Sequence, residues 1–291
     1  MHDFDLFAGV TPPDPRRHWA LLSPAERHIA YDNTAAVADS AALIEARNSG
    51  SAAYRASRPG ALDLPYGEGE RQRWDLYPAA DPAAPCLVFI HGGYWQRNSR
   101  EVFAIYAEGL AACGWSVAMP GYTLAPDASL TRIVGEMQSA MDWLAAKGAA
   151  HGIAGPVVVS GWSAGGHLAA LLLNHPRVAA GLAISGVYDL APLRDTAYNE
   201  LLRLTDEEVR DLSPLRLPQS AKPLAIAYGS AELATLVWDS RRLHERRAGE
   251  HLPGALLPVA GADHFTILDH LRRKDGELVR LARSLVEDLP A

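Results

Sequence analysis

The chain has 291 residues, enough for one large α/β domain or two small ones. Hydrophobic residues make up 48%, which supplies a substantial core and excludes a disordered chain. The formal net charge of -7 offers no basic surface, so nucleic acid is not an expected partner.

Two cysteines, Cys86 and Cys113, lie in or near apolar runs and supply neither a disulfide framework nor a metal cluster. The start, Met1-His2-Asp3-Phe4-Asp5, lacks the basic and then apolar regions of a secretory signal. No apolar stretch is long enough to span a bilayer. A cytoplasmic protein without a membrane partner is expected; the oligomeric state stays open, with a homodimer among the options.

Residues 1–60 read as a helical or irregular arm or cap, too thin in large apolar residues to stand alone. Pro12, Pro13 and Pro15 predict an extended start. Ser23-Pro24-Ala25-Glu26 predicts an N-cap, a proline in the first turn and a helix start. Ala35 to Arg58 is alanine-rich and helix-compatible, with Tyr31-Asp32-Asn33 just before it. Two roles fit this arm. It packs passively, or it folds over the strand ends, where Tyr31, Asp32 and Asn33 shape ligand choice.

From residue 61 the pattern becomes that of a sheet. Ala61 to Pro65 and Arg71 to Tyr77 predict two strands joined by the turn Tyr66-Gly67-Glu68-Gly69. Cys86 to Ile90 is a continuous apolar run that ends at His91-Gly92-Gly93. Arg100 to Ala112 has helical spacing, and Ser116 to Met119 predicts the next strand. Ser129 to Lys147 predicts a long amphipathic helix with Ile133, Met137, Met141 and Leu144 on one face. Further strands are expected at Val157 to Val159, Gly181 to Ile184, Leu224 to Tyr228 and Ala255 to Val259. Helices are expected at Leu168 to Asn174, Thr235 to Ala248 and Ile267 to Glu287. This alternation predicts an α/β fold: a mostly parallel central sheet covered by helices on both faces. No internal repeat or long linker divides residues 61–291, so a single domain carrying an N-terminal arm is the expectation.

The chemistry centres on Val157-Val158-Val159-Ser160-Gly161-Trp162-Ser163-Ala164-Gly165. An apolar strand runs into Gly-x-Ser-x-Gly and a helix follows, which is the context of a nucleophile elbow. Gly161 and Gly165 leave the tight turn room, and the turn pushes Ser163 Oγ out of the sheet top. A serine hydroxyl needs a base within reach, and the base needs an orienting acid. In this architecture they follow in the order serine, acid, histidine, at the ends of successive strands. Of the histidines after Ser163, only His264 lies just past a strand end; His167 is expected to pack against the sheet. Glu232 follows the preceding strand and is the expected acid. Asp239 is the competitor, further on inside a helix, and Asp263 reads as a turn or cap residue. His91-Gly92-Gly93 follows its strand directly, as an oxyanion loop does, so Gly92, Gly93 and Ala164 are the expected N–H donors. The histidines show no His-x-x-x-His or Cys/His ligand spacing, so no metal and no other cofactor is expected.

The sequence resembles the kynurenine formamidase (arylformamidase) family from about Tyr66 to the last helix. The resemblance rests on Pro65-Tyr66-Gly67-Glu68-Gly69, Asp75-Leu76-Tyr77 and His91-Gly92-Gly93-Tyr94-Trp95-Gln96. It extends through Tyr122-Thr123-Leu124-Ala125-Pro126, Ser185 to Pro192, Leu212-Ser213-Pro214 and Asp263-His264-Phe265. It implies a cofactor-free serine hydrolase of the α/β-hydrolase fold, with Ser163, Glu232 and His264 as nucleophile, acid and base. Glu232 stands where the family commonly carries Asp. The implied reaction is hydrolysis of N-formylkynurenine to kynurenine and formate through a formyl-enzyme. Tyr94, Trp95, Tyr122, Trp162 and Tyr188 lie near strand ends and are candidates for the wall against an aryl group, with core packing as their alternative. A small-molecule aryl amide or ester is thus the expected partner. A broad carboxylesterase or small-acyl amidase uses the same machinery. A non-catalytic receptor on this fold predicts a lost triad member, and serine, histidine and a carboxylate are all present.

Overall fold

The central strands are apolar at every position because both of their faces are covered. In β3 (Cys86–Ile90) every residue is buried. Cys86, Val88 and Ile90 join one core cluster, while Leu87 and Phe89 join the other. Alternation of side chains across a strand produces this division. The protein is described by a computed structural model, which covers residues 18–58 and 61–287. The extended start expected at Pro12, Pro13 and Pro15 lies outside the described residues.

Among the described residues one sheet holds eight strands in the order β1-β2-β4-β3-β5-β6-β7-β8. They are β1 (Ala61–Pro65), β2 (Arg73–Tyr77), β3, β4 (Ser116–Pro120), β5 (Val157–Trp162), β6 (Val178–Ile184), β7 (Leu224–Gly229) and β8 (Leu256–Val259). β1–β2 and β2–β4 are antiparallel, and every other pairing is parallel. After β3 the chain adds β4 on one side and β5 on the other. The order therefore reverses at β3 and β5, and the loops leaving their carboxyl ends open a crevice.

Helices α5 (Leu130–Lys147), α6 (Ala164–Leu172) and α9 (Ala234–Gly249) cover one face. α5 buries Ile133, Met137, Met141 and Leu144 as its spacing predicts, and Ser129 caps it by accepting from Arg132 N–H. The other face is covered by α4 (Glu108–Ala111), α10 (Asp269–Arg272) and α11 (Glu277–Glu287).

Three stretches depart from the sequence expectation. Arg100–Ala107 is a 3₁₀ helix, and only Glu108–Ala111 is α-helical. Phe103, Ala104, Ile105, Tyr106 and Ala107 are all buried, so packing around the segment, rather than one amphipathic face, sets its winding. The last helix is broken at residues 273–276, where the chain packs so closely that a side chain on Gly276 would meet the His270 carbonyl oxygen at 2.1 Å. Between β6 and β7 run short turns that the sequence reading passes over: α7 (Asn199–Leu202) and α8 (Asp206–Asp211), with 3₁₀ turns at Ala191–Asp195 and Pro214–Arg216.

Before the sheet come α1 (Pro24–Ile29), α2 (Asn33–Ala36) and α3 (Ser40–Ser57). Ser23 and Glu26 form a capping box around the proline that begins α1. Charge ties α3 to the sheet. Asp75 of β2 is fully buried and accepts from Arg55 Nε at 2.8 Å and from Arg100 Nε at 3.1 Å. The carboxylate is thereby paired on both oxygens, which a buried charge requires. Thr235 Oγ1 donates to the Ala30 carbonyl and holds the end of α1 against α9.

Candidate active site

The turn between β5 and α6 sets Ser163 in a strained backbone conformation, φ 59° and ψ -121°. Crowding explains why glycines flank it. A Cβ on Gly161 would lie 2.2 Å from the Gly165 carbonyl oxygen, and one on Gly165 would lie 1.9 Å from that of Ile90. The strand, turn and helix can pass this closely only without those side chains. Ser163 N–H donates to the Ile184 carbonyl at 2.9 Å, which fixes the turn to β6.

His264 and Glu232 come from the loops after β8 and β7. His264 Nδ1 lies 3.3 Å from Glu232 Oε2, and both side chains are almost fully covered. The second carboxylate oxygen, Oε1, accepts from Gly229 N–H at 2.8 Å and from Ser185 Oγ at 2.5 Å. Trp162 presses its ring on the His264 imidazole, centroids 4.5 Å apart, and donates Nε1–H to the His264 carbonyl at 2.8 Å. Asp239 is elsewhere: its Oδ2 accepts from the N–H groups of Tyr188 and Asp189, at 2.7 and 3.1 Å. Burial pushes the Asp239 carboxyl up to about 7, against the pull of those two N–H groups. Asp263 caps the histidine loop by accepting from Phe265 and Thr266 N–H. Ser163 and His264 face one cavity, and no hydrogen bond links them in this conformation. Contacts of this kind commonly tighten only when substrate is bound.

The loop after β3 passes beside Ser163. A Cβ on Gly92 would stand 2.6 Å from the Trp162 carbonyl oxygen and 2.9 Å from Ser163 Cβ. Gly93 has φ +121°, and Tyr94 and Trp95 follow at φ 50° and 57°. Side chains beneath hold this shape. The Gly92 carbonyl accepts from His91 Nδ1 at 2.9 Å and from Asn98 Nδ2 at 3.1 Å. Tyr122 stacks on His91 at 4.3 Å and donates its hydroxyl to the His91 carbonyl. Burial pushes His91 down to about 3, so it stays neutral there. Of the three expected oxyanion donors, Gly93 lines the cavity, Gly92 lies against the serine turn, and Ala164 is the buried first residue of α6.

The cavity is small, about 110 Å³, and opens to the surface at a mouth. Of the five aromatic residues expected around it, Tyr94 and Trp162 line it and Trp95, Tyr122 and Tyr188 do not. Those three are 0% exposed. Trp95 meets the edge of the His167 ring, Tyr122 supports His91, and the Tyr188 ring fills the space above Gly186. His167 does not rest on the sheet alone; its Nε2 donates to the Leu212 carbonyl at 2.7 Å, and burial lowers it to about 4. In the arm, Asn33 lines the cavity, whereas Asp32 caps α2 and Tyr31 lends its carbonyl to the Tyr94 hydroxyl. The sequence reading missed Arg47 of α3 and Arg97, Asn98 and Phe265, all of which line the cavity. Arg97 and Asn98 directly follow the glycine loop, which is the signal that could have found them. Arg47 has no comparable signal. Among the described residues no cluster of three or more His, Cys, Asp or Glu could hold a metal, and no helix is long and apolar enough to cross a membrane.

A sheet with its order reversed at β3 and β5, and a serine turn at the reversal, define the class: this is an α/β-hydrolase fold. A family model described as BD-FAE matches residues 75–178. The kynurenine formamidase of Danio rerio is 27% identical over 261 residues, covering 84% of this chain and 88% of the relative. Esterase LipC of Mycobacterium tuberculosis is 30% identical over 243 residues, covering 71% of this chain and 60% of that one. A solved structure from Silicibacter sp., described provisionally as a thioesterase, superposes with a TM-score of 0.81 at 28% identity, covering 89% of this chain and 99% of that chain. The protein is a hydrolase of the α/β-hydrolase fold, and its sequence is similar to those of kynurenine formamidases.

Proposed function

We propose that the protein is an arylformamidase that hydrolyses N-formylkynurenine to kynurenine and formate. Ser163 is the nucleophile, His264 the base and Glu232 the orienting acid. With Nδ1–H held by Glu232, His264 presents Nε2 as an acceptor for the Ser163 proton. Ser163 Oγ bonds to the formyl carbon, and the carbonyl oxygen becomes an oxyanion. The N–H groups of Gly92, Gly93 and Ala164 donate to it; each such donor is worth about 2.7–4 kcal/mol of barrier. The C–N bond then breaks, and His264 returns its proton to the departing arylamine nitrogen. Water, giving a proton to His264, attacks the formyl carbon; the bond from that carbon to Ser163 Oγ then breaks, His264 returns the proton to Ser163 Oγ, and formate leaves. The formyl group needs little space, while Tyr94 and Trp162 offer the aryl group apolar faces.

One observation carries the reading. The paired His264–Glu232 side chains, 3.3 Å apart, bring an imidazole to the same small cavity as a serine on a strained turn. Sequence likeness to kynurenine formamidases supports the choice of an aryl formamide. A second reading, a carboxylesterase of broad specificity, is favoured by the likeness to the mycobacterial esterase. Turnover of N-formylkynurenine, N-formylaniline and p-nitrophenyl esters by the purified protein separates the two. A formamidase gives its highest kcat/KM on N-formylkynurenine. Ester turnover with no formamide turnover selects the esterase reading.

A further inference from the structure

Among the described residues, the wall of the cavity that holds Ser163 and His264 carries arginine and no carboxylate. Arg47 is one of the residues that line it. Arg47 is 8% exposed and lies over the Phe103 ring, 4.3 Å from its centroid. Its Nε and Nη2 donate to Asn48 Oδ1 at 3.2 and 2.9 Å, and Nη2 also reaches Asn98 Oδ1 at 3.4 Å. Both acceptors are neutral. A guanidinium keeps its charge in a protein, and a buried charge without an opposite one is unfavourable. Burial opposes the charge on Arg47, and among the described residues no carboxylate offsets that effect.

A second side chain on this wall is incomplete in the opposite sense. Asn33 is 5% exposed, and its Nδ2 donates to the Tyr31 carbonyl and the Tyr94 hydroxyl, each at 3.3 Å. Those two acceptors fix which way the amide faces. Its Oδ1 is buried with no partner. A buried acceptor left unmade is costly, so it suits a ligand that brings a donor.

We propose that Arg47 and Asn33 form a subsite for the amino-acid end of the substrate, with Arg47 taking the carboxylate and Asn33 Oδ1 the ammonium. The inference rests on the formamidase reading and deepens it: the substrate is an aryl formamide whose side arm is zwitterionic. A carboxylate accepts charge-assisted hydrogen bonds from a guanidinium, and neither Asn48 nor Asn98 engages Nη1 of Arg47. The subsite also gives α2 and α3 a role in selection, since Asn33 begins one and Arg47 lies within the other.

Wild-type protein provides the first test. Kynurenine and 2-aminoacetophenone share the aryl amine and ketone, but only kynurenine has the amino-acid end. Each is measured as an inhibitor of p-nitrophenyl acetate hydrolysis, so the measurement stands even if formamides are not turned over. Kynurenine should inhibit at least ten times more tightly; equal inhibition overturns the subsite. The second test compares N-formylkynurenine with N-formylaniline in Arg47→Met and Arg47→Lys. Arg47→Met should lower the preference for N-formylkynurenine tenfold or more, chiefly through KM, and Arg47→Lys should recover part of it. An equal loss on both substrates would show that Arg47 only supports the fold. Failure of wild type on every formamide, with kynurenine still the tighter inhibitor, would reject the reaction and keep the subsite.

Discussion

Ser185 donates its hydroxyl to Glu232 Oε1 at 2.5 Å, while the other carboxylate oxygen faces His264 Nδ1 at 3.3 Å. Each oxygen of one carboxylate therefore has its own task. Oε1 is anchored by Ser185 at the end of β6 and by Gly229 N–H at the end of β7; Oε2 is left for the imidazole. Glu232 thus reaches His264 with its carboxylate fixed from behind, which compensates for a side chain one methylene longer than Asp.

Ser185→Ala should therefore act on the histidine through the carboxylate. One hydrogen bond to a charged group is lost and the Gly229 bond remains. Such bonds are worth about 1.5–3 kcal/mol, so kcat should fall roughly tenfold or somewhat more. KM should change little, because Ser185 does not line the cavity. A fall in KM-dependent terms alone would remove Ser185 from the positioning of Glu232.

Ser163→Ala tests the nucleophile. Removing a catalytic serine in a comparable enzyme costs roughly 10⁶ in kcat. The Cβ at residue 163 is unchanged, so the turn at φ 59° is no more strained than before. Circular dichroism should match wild type while hydrolysis falls by at least three orders of magnitude. Activity within a few fold of wild type rejects the assignment.

Much of the fold can be read from the sequence because parallel strands covered on both faces appear as unbroken apolar runs. Cys86–Ile90 and Leu224–Gly229 are such runs, and each is followed by the loop expected to carry chemistry. The nearness of Glu232 to His264 follows from the same rule, since β7 and β8 pair in parallel and both loops leave from one edge. Ring direction does not follow. Tyr94 and Trp95 are neighbours at a strand end, yet one lines the cavity and the other is sealed against His167. Two successive positive φ angles turn them apart, and no residue pattern announces that. Arg47 is hidden for another reason. Its place is set by how α3 packs on Arg100–Ala107, a contact between segments distant in sequence.

Asp239→Asn should retain activity within a few fold, since Asn Oδ1 can still accept from Tyr188 and Asp189 N–H. Its mark should appear in stability. The folded-state carboxyl is raised from 3.8 to about 7, so the folded chain holds this proton more tightly than the unfolded one. Protonated Asp239 thus favours the folded state below about 4, and the advantage is lost as pH rises through about 7. An Asn has no such proton to lose. Urea midpoints should show Asp239→Asn gaining on wild type between pH 4.5 and 7.5, by at least about 1 kcal/mol. A difference that does not change with pH would contradict the raised carboxyl.

Glu232→Gln distinguishes orientation of the histidine from simple support of the loop. The amide can keep its carbonyl oxygen where Oε1 accepts from Ser185 and Gly229. Its NH₂ then faces His264 Nδ1, which must become an acceptor. The ring proton moves to Nε2, and Nε2–H cannot take a proton from Ser163. In a Ser-His-Asp enzyme the corresponding wrong tautomer lowers kcat by roughly 10⁴. A similar fall is expected here at neutral pH, with thermal stability close to wild type because the two anchoring bonds survive. At higher pH the variant should recover little, since the fault lies in where the neutral ring carries its proton. Asp239→Asn made in parallel controls for general disturbance of this edge. If Glu232→Gln stays within tenfold of wild type while Asp239→Asn loses activity by orders of magnitude, the acid is Asp239, and the 3.3 Å contact to His264 has no catalytic part.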